Sequence, residues 1–163
     1  MPSMGIMNPI MDLLDYQDCE PKKMSLVFDY MGITVLEDSV VVVDNAISII
    51  GRKDTSVVIR APLCDLVKAV PDSLPILLLD HNPNAMQVAQ QCGVDVQLSG
   101  HTHNGQIFPL NFWIFLKAHI KDGMCYGYKK AGSTHYYVSA GLGGSGVPIR
   151  IGTTGEIVVL TLY

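Results

Sequence analysis

The chain has 163 residues, 48% of them hydrophobic and 16% charged, enough apolar material for one domain, or a large part of one, to close around a core. Its net charge of −4, with no lysine- or arginine-rich run, excludes sequence-independent binding to nucleic acid, which needs a basic surface. No run reaches the roughly 18 apolar residues of a membrane span, and Met1 to Leu14 lacks the basic start of a signal peptide, so the chain reads as soluble and, by default, cytoplasmic.

Residues 1–23 are poorly patterned. Pro2, Pro9 and Pro21 interrupt them, and a short helix at Ile10 to Tyr16 is the most they support. From residue 24 the pattern sharpens, and 24–163 reads as one domain or part of one. Leu26, Val27, Tyr30 and Met31 make one apolar helical face that Gly32 stops. Thr34 to Leu36 is a short strand. Val40 to Val43 and Ala46 to Ile50 are strands joined at the turn dipeptide Asp44-Asn45, followed by a polar loop, Arg52 to Thr55. Pro62 opens a helix that turns Leu63, Leu66, Val67 and Val70 inward.

Ile76 to Leu79 shows no polar alternation, as expected of a strand buried on both faces. Asn84 caps a helix through Gln91, Gly93 ends it, and Val94 to Ser99 is the next strand, which makes 76–99 a parallel β-α-β unit. Phe108 to Ile120 is apolar and aromatic and is expected to pack under a loop. After it, Cys125 to Lys130, Thr134 to Ser139, Ile149 to Ile151 and Glu156 to Leu162 read as successive, mostly antiparallel strands. Gly141 to Gly146 reads as a flexible turn, because a strand rather than a helix follows it. The four cysteines, Cys19, Cys64, Cys92 and Cys125, lie far apart with no C-x-x-C pair, which points to reduced thiols rather than a disulfide framework or zinc knuckle.

The chemistry sits in three histidines. His101 and His103 follow the strand Val94 to Ser99, and His81 follows Ile76 to Leu79. On an extended segment residues i and i+2 point the same way, roughly 6.5–7 Å apart. Each of the two can then serve one ion of a pair spaced about 3.5–4 Å. His81 comes from the neighbouring parallel strand, also at its C-terminal end, where open α/β sheets bind ligands. His119 and His135 lack such a setting. Asp80 adjoins His81 but faces the opposite way along the strand, which argues against its orienting that imidazole.

The runs Leu78-Leu79-Asp80-His81-Asn82-Pro83 and Leu98-Ser99-Gly100-His101-Thr102-His103-Asn104-Gly105-Gln106 resemble the calcineurin-like metallophosphoesterases, in particular the bacterial YkuE-type branch. Gly51-Arg52-Lys53-Asp54, the run Thr134 to Gly143, and Pro148-Ile149-Arg150-Ile151-Gly152 extend the resemblance from about Ser25 to the end. It implies an α/β fold with two facing sheets flanked by helices, of which this chain would hold the C-terminal half. It also implies a dinuclear centre of Mn, Fe, Zn or Mg that hydrolyses phosphomonoesters, diesters or pyrophosphates. His81 and His101 would bind one ion and His103 the other. Asn104 and Arg150 are the candidate contacts to the substrate phosphate; a guanidinium can take a phosphate by a bidentate pair, although an arginine on a late strand is more often a surface residue.

The family's remaining ligands come from Asp-x-His, Gly-Asp and Gly-Asn-His segments, and no D-x-H, G-D or N-H occurs in this sequence. The expectation is a partial site: a phosphoester hydrolase that is weak or inactive alone. The alternative is a non-catalytic metal-binding fragment that needs a partner chain with the missing ligands. A complementing N-terminal half, or self-association through uncovered sheet edges, would serve either. A mononuclear zinc hydrolase on three histidines lacks a well-placed general base. In full-length relatives membrane association is open.

Overall fold

The computed structural model describes residues 5–7, 27–109 and 124–162. The expected helix at 10–16, the aromatic segment beyond Pro109 and His119 lie outside them. Among the described residues, eight strands and two short α-helices that lie wholly within them follow one another as β1 Gly5–Met7, β2 Ile33–Val35, β3 Ser39–Val43, β4 Ile47–Gly51, α1 Leu63–Val67, β5 Ile76–Leu79, α2 Met86–Gln91, β6 Val96–Ser99, β7 Gly127–Ala131 and β8 Thr134–Val138. Residues 27–30 are helical and end before Gly32, whose φ is +70°.

β1 and β2 form a parallel pair, so part of the stretch expected to be irregular is a strand. Three residues are too few to show a period, and the pairing partner lies far along the chain. The other six strands make a mixed α/β sheet in the order β3-β4-β5-β6-β8-β7. β3 and β4 are an antiparallel hairpin, with Asp44 and Asn45 both at φ 51°, as a type I′ turn requires. β4, β5, β6 and β8 run parallel, and β7 closes the sheet antiparallel to β8. Four strands therefore end at one edge, the edge that holds the histidines.

One face of the sheet packs under α1 and α2. Ile50, Leu78 and Tyr136 from neighbouring strands meet Leu63, Val70, Met86 and Ala89. Gln97 lies in the same row by register and is buried, donating to the Ser99 hydroxyl at 3.0 Å. The other face is more open. Ile76 and Leu78 are buried but Leu77 and Leu79 only half so, which corrects the expectation of burial on both faces. Leu77, Val96, Leu98 and Tyr137 line a groove of about 490 Å³ there, with Leu160 and Leu162 at its side.

Local details differ from expectation in four places. Asn82, not Asn84, caps the turn before α2, its side-chain Oδ1 accepting from Asn84 N at 3.1 Å. Ile149 to Ile151 contributes only a single bridge, Ile107 to Ile151, and 154–162 joins no ladder among the described residues. Ile157 and Val159 are 77% and 87% exposed there, so β-prone composition alone did not secure a partner strand. The 141–146 segment is pinned rather than free, as described below. Finally, Cys64 and Cys92 form a disulfide with Cα atoms 5.0 Å apart. Neighbouring helices α1 and α2 bring together two cysteines whose spacing in sequence gave no sign of it.

Cys125 is free and buried, and desolvation pushes its thiol up to about 12, so little thiolate exists near neutrality. Alkylation of the native oxidised protein at pH 8 should leave Cys125 unmodified and yield a linked Cys64–Cys92 peptide on mass mapping. Closing a span of 28 residues is worth about 3.5 kcal/mol in the chain-entropy account. Reduction should lower the urea-unfolding free energy by about that amount.

Candidate metal centre

The β5–β6 ladder continues beyond both strands. Asp80 N donates to Leu98 O at 3.2 Å, and Gly100 N donates to His81 O at 2.9 Å. This brings the two strand ends level. His81, 8% exposed, then faces His101, with Nε2 of the first 3.3 Å from Nδ1 of the second. The rings meet edge to face at 84°. Gly100 lies under the His81 ring, where a Cβ would come within 3.7 Å of Nδ1.

The spacing of those nitrogens tests the fit to a metal. Two nitrogens each about 2.1 Å from one ion at the tetrahedral angle lie about 3.4 Å apart. His81 and His101 therefore fit as two ligands of one divalent ion. Among the described residues no three His, Cys, Asp or Glu side chains group closely enough to hold an ion by themselves. The structure thus brings together two of the three expected imidazoles.

His103 and Asn104 stand one turn further on, in a short 3₁₀ segment, His103–Gly105. His101, His103, Asn104 and Gln106 all have positive φ, between 40° and 67°. Such a concentration of left-handed non-glycine residues is uncommon and marks a loop held by its surroundings. The Thr102 hydroxyl supplies part of that hold, donating to Cys125 O at 2.5 Å. Arg150 supplies another: Nη1 donates to His103 O at 3.0 Å, and Nη2 to Ala140 O at 2.7 Å, to Gly141 O at 3.2 Å and to Gly143 O. His135 lies apart on β8, 2.8 Å from the Tyr128 hydroxyl.

Behind His81 lies a buried group of charges. Asp80, its side chain 4% exposed, takes both carboxylate oxygens to Arg60 Nη2 at 2.9 Å. Arg52 sits between Asp38 at 3.7 Å and Asp80 at 3.9 Å and donates to Ala61 O at 2.6 Å. Asp38 also accepts from Lys53 N at 3.2 Å and Ala61 N at 2.9 Å. Burial raises the Asp80 carboxyl above its usual range, against the pull of Arg60 and Arg52. Burial also lowers Arg52. For Asp54, burial pushes upward, but the Ser56 backbone and hydroxyl donors and the charge of His81 leave the net shift downward.

Residues 52–55 form a loop as expected, but its first residue is buried, with the Arg52 guanidinium held between two aspartates. Asp38, Arg60 and Gln106 gave no signal in sequence, because their partners lie 20 or more residues away in most cases. The Asp80 carboxylate is engaged by Arg60 and Arg52.

The sequence is similar to several known proteins. A metallophosphoesterase of Helicobacter pylori strain J99, itself uncharacterized, is 38% identical over 97 residues, 59% of this chain and 25% of that protein. The transmembrane protein with metallophosphoesterase domain of Bos taurus is 43% identical over 104 residues, 60% of this chain and 22% of that protein. The uncharacterized metallophosphoesterase YkuE of Bacillus subtilis is 38% identical over 91 residues, 56% and 32% of the two chains. The chain is similar to these metallophosphoesterases over somewhat more than half of its length. It spans about a quarter of the length of the curated relatives it matches. No family model matches it, and no solved structure does. No helix among the described residues is long and apolar enough to cross a membrane.

Removing one partner of a buried pair leaves an uncompensated charge and costs roughly 3–5 kcal/mol. Arg60→Ala should therefore lower stability by about 3 kcal/mol in urea. Asp80 has a raised folded-state pKa, so the stability it confers is present at low pH and lost as pH rises through that value. Without Arg60 the value rises further. The deficit should be small below the ordinary carboxylate range and grow through the mildly acidic range, and Arg60→Ala/Asp80→Asn should recover part of it.

Proposed function

We propose that this chain contributes part of the metal site of a phosphoester hydrolase, with His81 and His101 on one divalent ion and His103 toward a second. The observation that supports it is the 3.3 Å approach of two imidazole nitrogens at the shared C-terminal edge of parallel strands, within a sequence similar to metallophosphoesterases. When bound, the ions activate water and stabilise negative charge on the phosphoryl group. Mn, Fe, Zn and Mg each suit mixed nitrogen and oxygen ligation.

The chain's own residues do the rest. The parallel ladder orients the two imidazoles. Burial of Asp80, Arg52 and Arg60 keeps the strand ends behind them in one arrangement. The Asn104 carboxamide, on the loop beside the ligands, offers a donor to a phosphate oxygen. We read Arg150 as acting on that phosphate through the loop, since its guanidinium already donates to His103 O and three further carbonyls.

That no third His, Cys, Asp or Glu joins His81 and His101 among the described residues favours the reading that this chain needs a partner segment, either a complementing N-terminal half or another copy. Mono- and diesters of phosphate and pyrophosphates are the substrate class. A chain loaded with Mn²⁺ and desalted should retain at most about one ion, by the ligand count of a partial site. It should turn over bis(p-nitrophenyl) phosphate slowly or not at all. His81→Ala and His101→Ala should each abolish retention. Two tightly held ions with fast turnover would overturn the partial-site reading, and full retention in both variants would overturn the ligand assignment.

A further inference from the structure

We infer that Gln106 and Arg150 are positioning residues: together they latch the loop of His101 to Asn104 onto the glycine-rich segment 140–149. The inference rests on the metal-site reading for its functional consequence, but the latch itself stands on geometry. Gln106 is 4% exposed and holds φ +40°, a costly conformation for a residue with a Cβ. Its Nε2 donates to Ser145 O at 3.1 Å, Val147 O at 2.9 Å and Ile149 O at 3.1 Å. Its Oε1 accepts from Ser145 N at 2.6 Å. A carboxamide has two donor hydrogens and one acceptor oxygen, so the donors of this one are taken up in bridging the two segments.

The backbone of Gln106 adds to the bridge. Its carbonyl accepts from Ile151 N at 2.9 Å and from the Thr153 hydroxyl at 3.2 Å. Its own N–H donates to His103 O at 3.1 Å, and the same oxygen accepts from Arg150 Nη1 at 3.0 Å. The His103 carbonyl is therefore fixed from two sides. Gly144 completes the fit, since a Cβ there would stand 3.1–3.3 Å from the Gln106 carboxamide. Neither residue type is interchangeable with its near neighbours. Glu at 106 would set a carboxylate against three carbonyl oxygens, and Lys at 150 would lose the fork that reaches both segments.

Gln106→Leu and Gln106→Glu keep the volume and remove the donor bonds to the three carbonyls, and Arg150→Lys keeps the charge. In the metal-free full chain, amide hydrogen exchange followed by NMR should accelerate about tenfold or more in residues 103–108 and 141–151 together. The amides of β4, β5 and β6 should be unchanged. Mn²⁺ affinity, measured by titration calorimetry, should fall by about tenfold, the lower end of the usual effect of residues that orient metal ligands. Acceleration in one segment only, or in neither, overturns the latch. Acceleration in both with unchanged Mn²⁺ affinity overturns the positioning role. If the wild-type chain binds no Mn²⁺, the metal-site reading fails, and the exchange result alone decides the latch. Should Gln106→Glu not fold, Arg150→Lys gives the same two readouts.

Discussion

The hydrogen bond from Gly100 N to the His81 carbonyl, 2.9 Å long, extends the pairing of β5 and β6 past the residues that end each strand. Parallel strands place like ends side by side, and the crossover helix α2 forces that direction. Everything at this edge follows from the level so set. Two histidines that stand 20 residues apart in sequence meet through their ring nitrogens. The loop after His101 must then turn sharply, and four side-chain-bearing residues accept left-handed conformations to make it do so.

Such an edge is a demanding place to keep in order, because backbone groups beyond a strand end lose their ladder partners. Side chains take over that role here. Asp38 accepts from the backbone at residues 53 and 61, Arg52 donates to the carbonyl of Ala61, and Asp80 is clasped by Arg60. On the other flank Gln106 and Arg150 serve the carbonyls of 103 and 140–149. Buried ion pairs of this kind are poor sources of net stability. Their use at the edge is better understood as a choice among backbone arrangements than as a gain in folding energy.

Much of the fold was legible. The Asp44-Asn45 turn, the β-α-β unit, the helix after Pro62 and the β7–β8 hairpin all rest on local chemistry, namely turn residues, apolar period and proline placement. The histidine edge was legible too, because strand order and direction follow from a short crossover. What stayed hidden is what chain folding alone brings together. Cys64 and Cys92 carry no spacing motif. Arg52 looks like any loop arginine until two aspartates surround it. Gln106 sits in a recognisable motif, yet its carboxamide works on carbonyls some 40 residues later. The tail failed in the opposite sense: residues 157–162 are rich in β-branched and apolar residues as strands are, but a strand is defined by its neighbour.

The two ends of the six-stranded sheet are chemically unlike. β7 presents Lys129 and Lys130, exposed, along one outer margin, and ammonium groups there repel a further strand. β3, at the opposite margin, is Ser39 followed by four valines, uncharged throughout and without an outer neighbour among the described residues. A strand added to this sheet would meet ammonium groups at the β7 margin and none along the valines of β3, so the two margins oppose such an addition unequally.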